Sequence, residues 1–291
     1  FGFGPPYVIK ADGLAAGKGV AIADTFAEAS SLLRSHLVDK TFGSASEKVI
    51  VERFLSGREI SVFGFVDGSR VSSLTAACDY KKICDGNKGE NTGGMGGYSP
   101  PEATLWNKNI ENWVRDNVMQ PVVDELRNRR MPYKGILYAG LIKTEDGLKV
   151  LEFNCRFGDP EAQLIIPRIE NDLIDIMNDV VSEKIKTNSV NWNPETSVGV
   201  VVVSKGYPNE YEVGYEIKGV DLLDDKVQVF HAGTTLNMTE KENLLQTSGG
   251  RVLTVVSKDK DVNLARDNVY RNISRINFNG ATFRHDIALL N

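Results

Sequence analysis

The run Lys149-Val-Leu-Glu-Phe-Asn-Cys-Arg-Phe-Gly-Asp-Pro-Glu161 constrains this chain more than any other stretch. Its first half reads as a buried strand, with Val150, Leu151 and Phe153 apolar and the run ending at Asn154. Glu152 and Asn154 stand two apart, and strand residues two apart project to one face. A carboxylate and an amide carbonyl then converge on one spot. Both are hard oxygen donors of the kind that Mg²⁺ accepts beside substrate phosphates. Arg156 follows two residues later, a permanent cation whose planar donor fork suits phosphate or carboxylate. A strand with one solvated polar face has the same spacing, so the rest of the chain must decide.

Along the chain, residues 7–10 read as a strand, 11–19 as a glycine-bearing hairpin tip, and 20–23 as the returning strand. Thr25-Phe-Ala-Glu28 has the form of a capping box. Behind it, Phe26, Ala29, Leu32, Leu33 and Leu37 keep helical spacing. Strands are expected at 48–54, 59–66 and 71–77, the last two joined by the Asp67-Gly68 turn. Pattern then disappears over 81–101, where Cys84 to Gly97 holds six glycines in fourteen residues. A loop this long inside a compact domain is usually functional or disordered. A long helix is expected over 109–130, kinked near Pro121. The strands 135–143 and 148–154 form a hairpin, and 172–185 another amphipathic helix. The composition turns polar over 187–194, which marks a boundary. Beyond it come strands at 197–204, 226–231 and 250–257, a helix at 262–276 and a short terminal strand at 282–287.

With 291 residues there is material for two or three packed units. A formal net charge of −5 argues against nucleic acid as the main partner, since that role calls for a basic face. No apolar run approaches the ~20 residues of a membrane span. Cys78, Cys84 and Cys155 form an odd, unpatterned set that fits a reduced, cytoplasmic protein better than a disulfide framework or a zinc site. His36, His231 and His285 lie far apart in sequence and show no metal-ligand spacing. The chain opens with Phe1-Gly-Phe-Gly-Pro-Pro directly before a strand, as if it begins part-way through a domain.

Gly13-Leu-Ala-Ala-Gly-Lys-Gly19 is not a Walker A loop. That motif needs four residues between its glycines and Ser or Thr after the Lys, and it opens a helix. Here three residues intervene, Gly19 follows Lys18, and the loop joins two strands. A glycine-rich hairpin with one lysine can still lie over phosphates through its backbone N–H groups. Lys10, ending the strand before it, supplies a second cation. In Val51-Glu-Arg-Phe-Leu-Ser-Gly-Arg-Glu59, a strand edge leaves the core with Glu52 and Glu59 on either side of a turn. Such an edge can offer backbone groups to a planar base and a carboxylate to ribose hydroxyls. Taken alone, both glutamates are better read as solvated.

In this order the motifs resemble the glycinamide ribonucleotide synthetase family of ATP-grasp ligases. The matching stretches are Val8 to Val20, Glu52-Arg-Phe-Leu55, Asn91-Thr-Gly-Gly-Met-Gly96 with Tyr98-Ser-Pro100, and Leu151 to Glu161. Phe230-His-Ala-Gly-Thr234 and Gly249-Gly-Arg-Val-Leu253 fit the family's C-terminal domain. The resemblance implies an α+β (α/β) chain with an ATP-grasp fold: a small lobe over 1–59, a large lobe over 60–190, and a β-rich C-terminal domain over 191–291. It implies ATP and Mg²⁺, with Mn²⁺ as an alternative ion, and glycine and 5-phosphoribosylamine as substrates. Glycine's carboxylate would take the γ-phosphoryl group of ATP, and the amine would then displace phosphate from glycyl phosphate. By the same analogy Lys10 and Lys18 bind phosphates, Glu52 and the backbone of Phe54–Leu55 hold adenine, and Glu59 takes the ribose. Glu152 and Asn154 bind the metal, while Arg156 and Lys18 serve the transfer itself. Asp79, Lys81, Asp159 and Glu161 are the candidates for substrate ammonium and phosphate, and the stretch 86–97 is the candidate lid.

The sequence also departs from the family's pattern. Ala139 aligns where many ATP-grasp enzymes carry a further acidic metal ligand. The family's N-terminal domain has no counterpart here and is expected as a missing partner, in cis or as a separate segment. Two other readings stay open: a different ATP-grasp carboxylate–amine ligase or carboxylase component, and a nucleotide-binding fragment inactive without its first domain.

Overall fold

The structure is a computed structural model that describes residues 2–13, 15, 19–238 and 243–290. It divides into two compact units, residues 1–57 and 58–291. In the first unit β1 (Tyr7–Ala11), β2 (Val20–Ala23) and β3 (Val49–Arg53) form an antiparallel sheet of order β2-β1-β3, joined through helix α1 (Phe26–Leu37). The capping box is present: Thr25 Oγ1 accepts from the Glu28 amide at 3.2 Å, and Glu28 Oε2 accepts from the Asp24 and Thr25 amides. Together these bonds satisfy amides at a helix start that have no intrahelical partner. Tyr7, Ile9, Ala23 and Ala29 form the core of this unit.

The second unit is built on a nine-stranded sheet. Its strands are, in chain order, β4 (Arg58–Asp67), β5 (Thr75–Asp79), β8 (Gly96–Ser99), β9 (Lys134–Thr144), β10 (Gly147–Asn154), β11 (Thr196–Ser204), β12 (Val227–His231), β15 (Arg251–Asp259) and β16 (Ala281–Thr282). The spatial order is β10-β9-β4-β5-β8-β11-β15-β12, with β16 paired to β11. Two hairpins stand apart from it, β6 (Lys82–Cys84) with β7 (Lys88–Asn91), and β13 (Thr234–Met238) with β14 (Asn243–Thr247). The helices are α2 (Lys108–Val114), α3 (Gln120–Asn128), α4 (Glu161–Ile165), α5 (Leu173–Val181) and α6 (Val262–Ile273). One core runs through the whole sheet, from Val62 and Leu137 to Val198, Val200 and Leu253. Among the described residues, no helix is long and apolar enough to cross a membrane.

Several expectations change. The stretch over 81–101 is not a single loop: it contains the exposed β6–β7 hairpin and then β8, which is buried between β5 and β11. Glycine there serves close packing, because a Cβ on Gly97 would stand 2.3 Å from the Cys78 carbonyl oxygen. The strand expected at 71–77 lies at Thr75–Asp79, with Val71 making only an isolated bridge to Val66. The long helix is interrupted by a π-helical turn over Arg115–Met119, just ahead of Pro121, whose ring nitrogen has no hydrogen to donate. On either side of the boundary expected after 190, β8 and β11 are hydrogen-bonded neighbours in one sheet, and 58–291 groups as one compact unit.

Candidate functional site

In the first unit, β1 and β3 pair with Lys10 opposite Ile50 and Val8 opposite Glu52. This register sets Lys10 diagonal to Glu52 on one face, and their side chains form an ion pair at 2.6 Å. Phe54 and Leu55 follow directly, and the Phe54 amide donates to the Pro6 carbonyl oxygen at 3.3 Å. Lys18 lies outside the described residues.

The second unit gathers the remaining candidates. Across the sheet, Ser61 of β4 is opposite Gly140 of β9, which is opposite Glu152 of β10. One step along, Phe63, Tyr138 and Asn154 form the next row. Glu152 and Asn154 do share a face, and Asn154 Nδ2 donates to Glu152 Oε1 at 3.0 Å. Glycine opposite Glu152 leaves room for it: a Cβ on Gly140 would lie 3.1 Å from Glu152 Cγ. Ala139 is fully buried on the other face, paired with Phe153. The positions of β9 that look toward Glu152 and Asn154 are therefore Tyr138 and Gly140, and neither is acidic.

A polar cluster occupies the same face. Lys81 Nζ is ion-paired with Glu59. The buried Glu161, at the start of α4, accepts from Ser61 Oγ at 2.9 Å, and Ser61 Oγ also meets the Tyr138 hydroxyl at 2.9 Å. Asp79 ends β5 beside them. Burial pushes its carboxyl up to about 7; Lys81 opposes the shift, and the Glu161 and Glu59 carboxylates add to it. Burial works against the charge on Lys81, but Asp79 and Glu59 outweigh it and hold its pKa above the usual lysine value. Glu59, read from sequence as a ribose ligand, thus stands with Lys81 in the second unit.

Asp159 is placed differently from Glu161. Its Oδ1 accepts from Gln163 Nε2 at 3.0 Å and its Oδ2 from Arg251 Nη2 at 2.9 Å, so both carboxylate oxygens are engaged within the chain. Arg156 is exposed, with Nη1 donating to the Phe157 carbonyl oxygen at 2.8 Å. Ser61 and Tyr138 escaped the sequence reading, although Ser61 keeps the two-residue strand spacing from Glu59. Arg251 lay in a quoted motif but no local signal tied it to Asp159.

The donor set fits a hard divalent cation. Among the described residues no group of three His, Cys, Asp or Glu side chains could hold a metal. Glu152 and Asn154 are two oxygen donors on one face, the small protein share expected for Mg²⁺ bound beside nucleotide phosphates. An apolar cavity lies elsewhere, against Val150 and Phe153 on the opposite face of β10.

Residues 2–162 match the phosphoribosylglycinamide synthetase ATP-grasp (A) domain, and residues 197–290 match its C domain. The chain is 43% identical over 283 residues to phosphoribosylamine–glycine ligase of Caldanaerobacter subterraneus, covering 97% of this chain and 66% of that protein. It is 44% identical over 285 residues to the trifunctional purine biosynthetic protein adenosine-3 of Gallus gallus, covering 97% of this chain and 28% of that protein. The crystal structure of phosphoribosylamine–glycine ligase from Thermotoga maritima superposes with a TM-score of 0.83 at 31% identity, over 98% of this chain and 70% of that one. A biotin carboxylase domain from Hydrogenobacter thermophilus, at 15% identity and a TM-score of 0.65, shares the fold alone. The fold is ATP-grasp, with the α+β content expected from the sequence. Two domain matches in order over most of its length place the chain in the phosphoribosylglycinamide synthetase family.

Proposed function

We propose that the chain carries the ATP-dependent ligation of glycine to 5-phosphoribosylamine, giving glycinamide ribonucleotide, ADP and phosphate. The observation that carries this reading is the single sheet face of the second unit. It presents the Glu152–Asn154 donor pair beside a cluster of Glu59, Asp79, Lys81 and Glu161. The named relatives support the choice of substrates.

In the first step a glycine carboxylate oxygen attacks the γ-phosphorus of ATP, forming an O–P bond as the bond to the β-phosphate oxygen breaks and ADP leaves. In the second, the amine nitrogen attacks the carbonyl carbon of glycyl phosphate. A C–N bond forms, the C–O bond to phosphate breaks, and the amine loses a proton. Phosphoryl transfer asks a protein mainly for positioning and charge neutralisation. Lys10 and Lys18 would meet the nucleotide phosphates, and Glu52 with the Phe54–Leu55 backbone the adenine. Arg156 would steady the transferred group with its exposed fork. Asp79 and Glu161 suit an ammonium, and Lys81 a phosphate. Glu152 and Asn154 would hold Mg²⁺, or Mn²⁺ on the same donors, and such an ion neutralises charge on phosphate oxygens. The three cysteines are free, which supports a reducing, cytoplasmic compartment.

The test is ADP release by the natural full-length polypeptide, measured with and without glycine and phosphoribosylamine across a Mg²⁺ titration. ADP and amide should depend on both substrates. Glu152→Gln should raise the Mg²⁺ needed for half-maximal rate by about tenfold or more, the scale on which even outer-shell partners act, with the melting temperature held. ADP release indifferent to glycine would overturn the ligase reading. An unchanged Mg²⁺ requirement in the variant would remove Glu152 from the metal site.

A further inference from the structure

We propose that Arg251, the first residue of β15, is a positioning residue for the ligation proposed above. It pins together the two backbone segments that carry opposite sides of the substrate cluster. The inference rests on the ligase reading for its effect on turnover, but the pin itself can be tested without it.

Arg251 reaches far from its own position in the chain. Its Nη1 donates to the Gly93 carbonyl oxygen at 2.8 Å and to the Asp159 carbonyl oxygen at 2.8 Å, partners 158 and 92 residues away in sequence. Its Nη2 donates to Asp159 Oδ2 at 2.9 Å. Each captured segment runs straight into the cluster. On the first side, the Thr92 amide donates to the Lys81 carbonyl oxygen and the Met95 amide to the Tyr80 carbonyl oxygen, both at 2.8 Å. Gly93 lies between them, so holding its carbonyl holds the main chain at Lys81. On the second side, Asp159 stands two residues before Glu161, whose carboxylate meets Ser61. One guanidinium therefore sets Lys81 relative to Glu161.

The contact is poorly suited to a purely stabilising role. The side chains of Arg251 and Asp159 are 22% and 53% exposed, and ion pairs that water reaches contribute little to stability. The geometry is specific all the same, because a planar fork fixes direction as well as distance. Gly93 has the size the contact demands: a Cβ there would stand 2.9 Å from Arg251 Cζ. A misplacement of about 1 Å in a catalytic arrangement can lower rate by about 10²-fold. It also gives a reactive acyl phosphate time to meet water instead of the amine.

Three variants of the natural full-length polypeptide test this. Arg251→Ala should lower kcat for amide formation by about 10²-fold and leave KM for ATP within about threefold. The ratio of ADP released to amide formed should rise well above one. Gly93→Ala displaces the guanidinium without removing it and should lose about tenfold. Free guanidinium ion should restore part of the turnover of Arg251→Ala and none of that of Gly93→Ala. Arg251→Lys keeps the charge and loses the fork, and it guards against a folding failure of the alanine variant; it should remain uncoupled. Hydrogen exchange at the amides of 92–95 and 159–162 should rise together in Arg251→Ala. Full turnover with tight coupling in Arg251→Ala would overturn the inference while leaving the ligase reading intact. Exchange that stays unchanged at both segments would overturn the pin whatever the activity. A wild type that makes no glycine-dependent ADP would overturn the ligase reading, and the exchange experiment would then decide the pin alone.

Discussion

Asp79 shows what a single residue gains from its surroundings. In an unfolded chain its carboxyl has the ordinary value of 3.8, and in the fold it is pushed up to about 7 by burial, with Glu161 and Glu59 adding to the shift. Between those values the folded form holds a proton that the unfolded form has released. Stability therefore falls as pH rises through this window. Below 3.8 both forms are protonated, and the difference vanishes. Asp79→Asn mimics the protonated side chain, so it should leave the melting temperature unchanged at about pH 3 and raise it above about pH 7. Melts that shift equally at both ends would mean that the carboxyl titrates normally. At this scale the sequence was partly legible. The shared face of Glu152 and Asn154 follows from strand periodicity, a property of adjacent residues. The carboxylate neighbours of Asp79, Glu59 and Glu161, come from β4 and α4, and no local pattern announces them.

Among the elements missing from the local patterns, which include the β6–β7 and β13–β14 hairpins, β8 matters most because it lies inside the main sheet. Six glycines between Cys84 and Gly97 carry no strand propensity, and they read as a loop. The strand exists because its backbone pairs with β5 on one side and β11 on the other, and at Gly96 and Gly97 those neighbours leave no room for a Cβ. Gly97→Ala would drive a Cβ into the Cys78 carbonyl oxygen, a backbone atom that cannot swing aside. Such overpacking should cost about 2 kcal/mol or more, read as a lower denaturant midpoint with an unchanged slope. A cost within about 0.5 kcal/mol, the usual range for an innocuous surface change, would mean that the strands are not so closely packed. The β6–β7 hairpin beside β8 is likewise anchored from afar. The buried Arg284 donates to the Lys82 carbonyl oxygen at 2.9 Å and to Asp286, and Asp286 accepts from the Gly86 amide at 2.8 Å. Helices α1 and α5, by contrast, were legible from apolar spacing, and α1 also from its capping box at Thr25.

For the molecule as a whole, the polar stretch over 187–194 reads as a boundary, yet the sheet continues across it. Arg168 explains part of this. Its guanidinium is buried and bonds Thr75 Oγ1, Ser99 Oγ and the carbonyl oxygens of Asn193 and Glu195, stitching the connection to β5 and β8. Cutting the chain at the exposed Lys186 should therefore leave two pieces that stay together. They should co-elute in native gel filtration and part only in denaturant. Pieces that separate freely after cleavage would show that β8 and β11 do not hold the unit together.

By itself the sequence determined what depends on neighbours along the chain: the capped helices, the hairpin strands, the two-residue spacing of Glu152 and Asn154, and the ordered motifs that mark the family. Hydrogen bonding and side-chain direction within one element repeat at short, fixed intervals, so those features can be read without a fold. Tertiary structure alone decided that Glu59 stands with Lys81, that Asp159 is bound to Arg251, and that β8 belongs to the sheet. Those outcomes depend on contacts between residues far apart in the chain, such as Asp159 with Arg251 or Gly96 opposite Val200, and on how closely two backbones approach. Burial and close packing are properties of the assembled core, and no window of the sequence contains them.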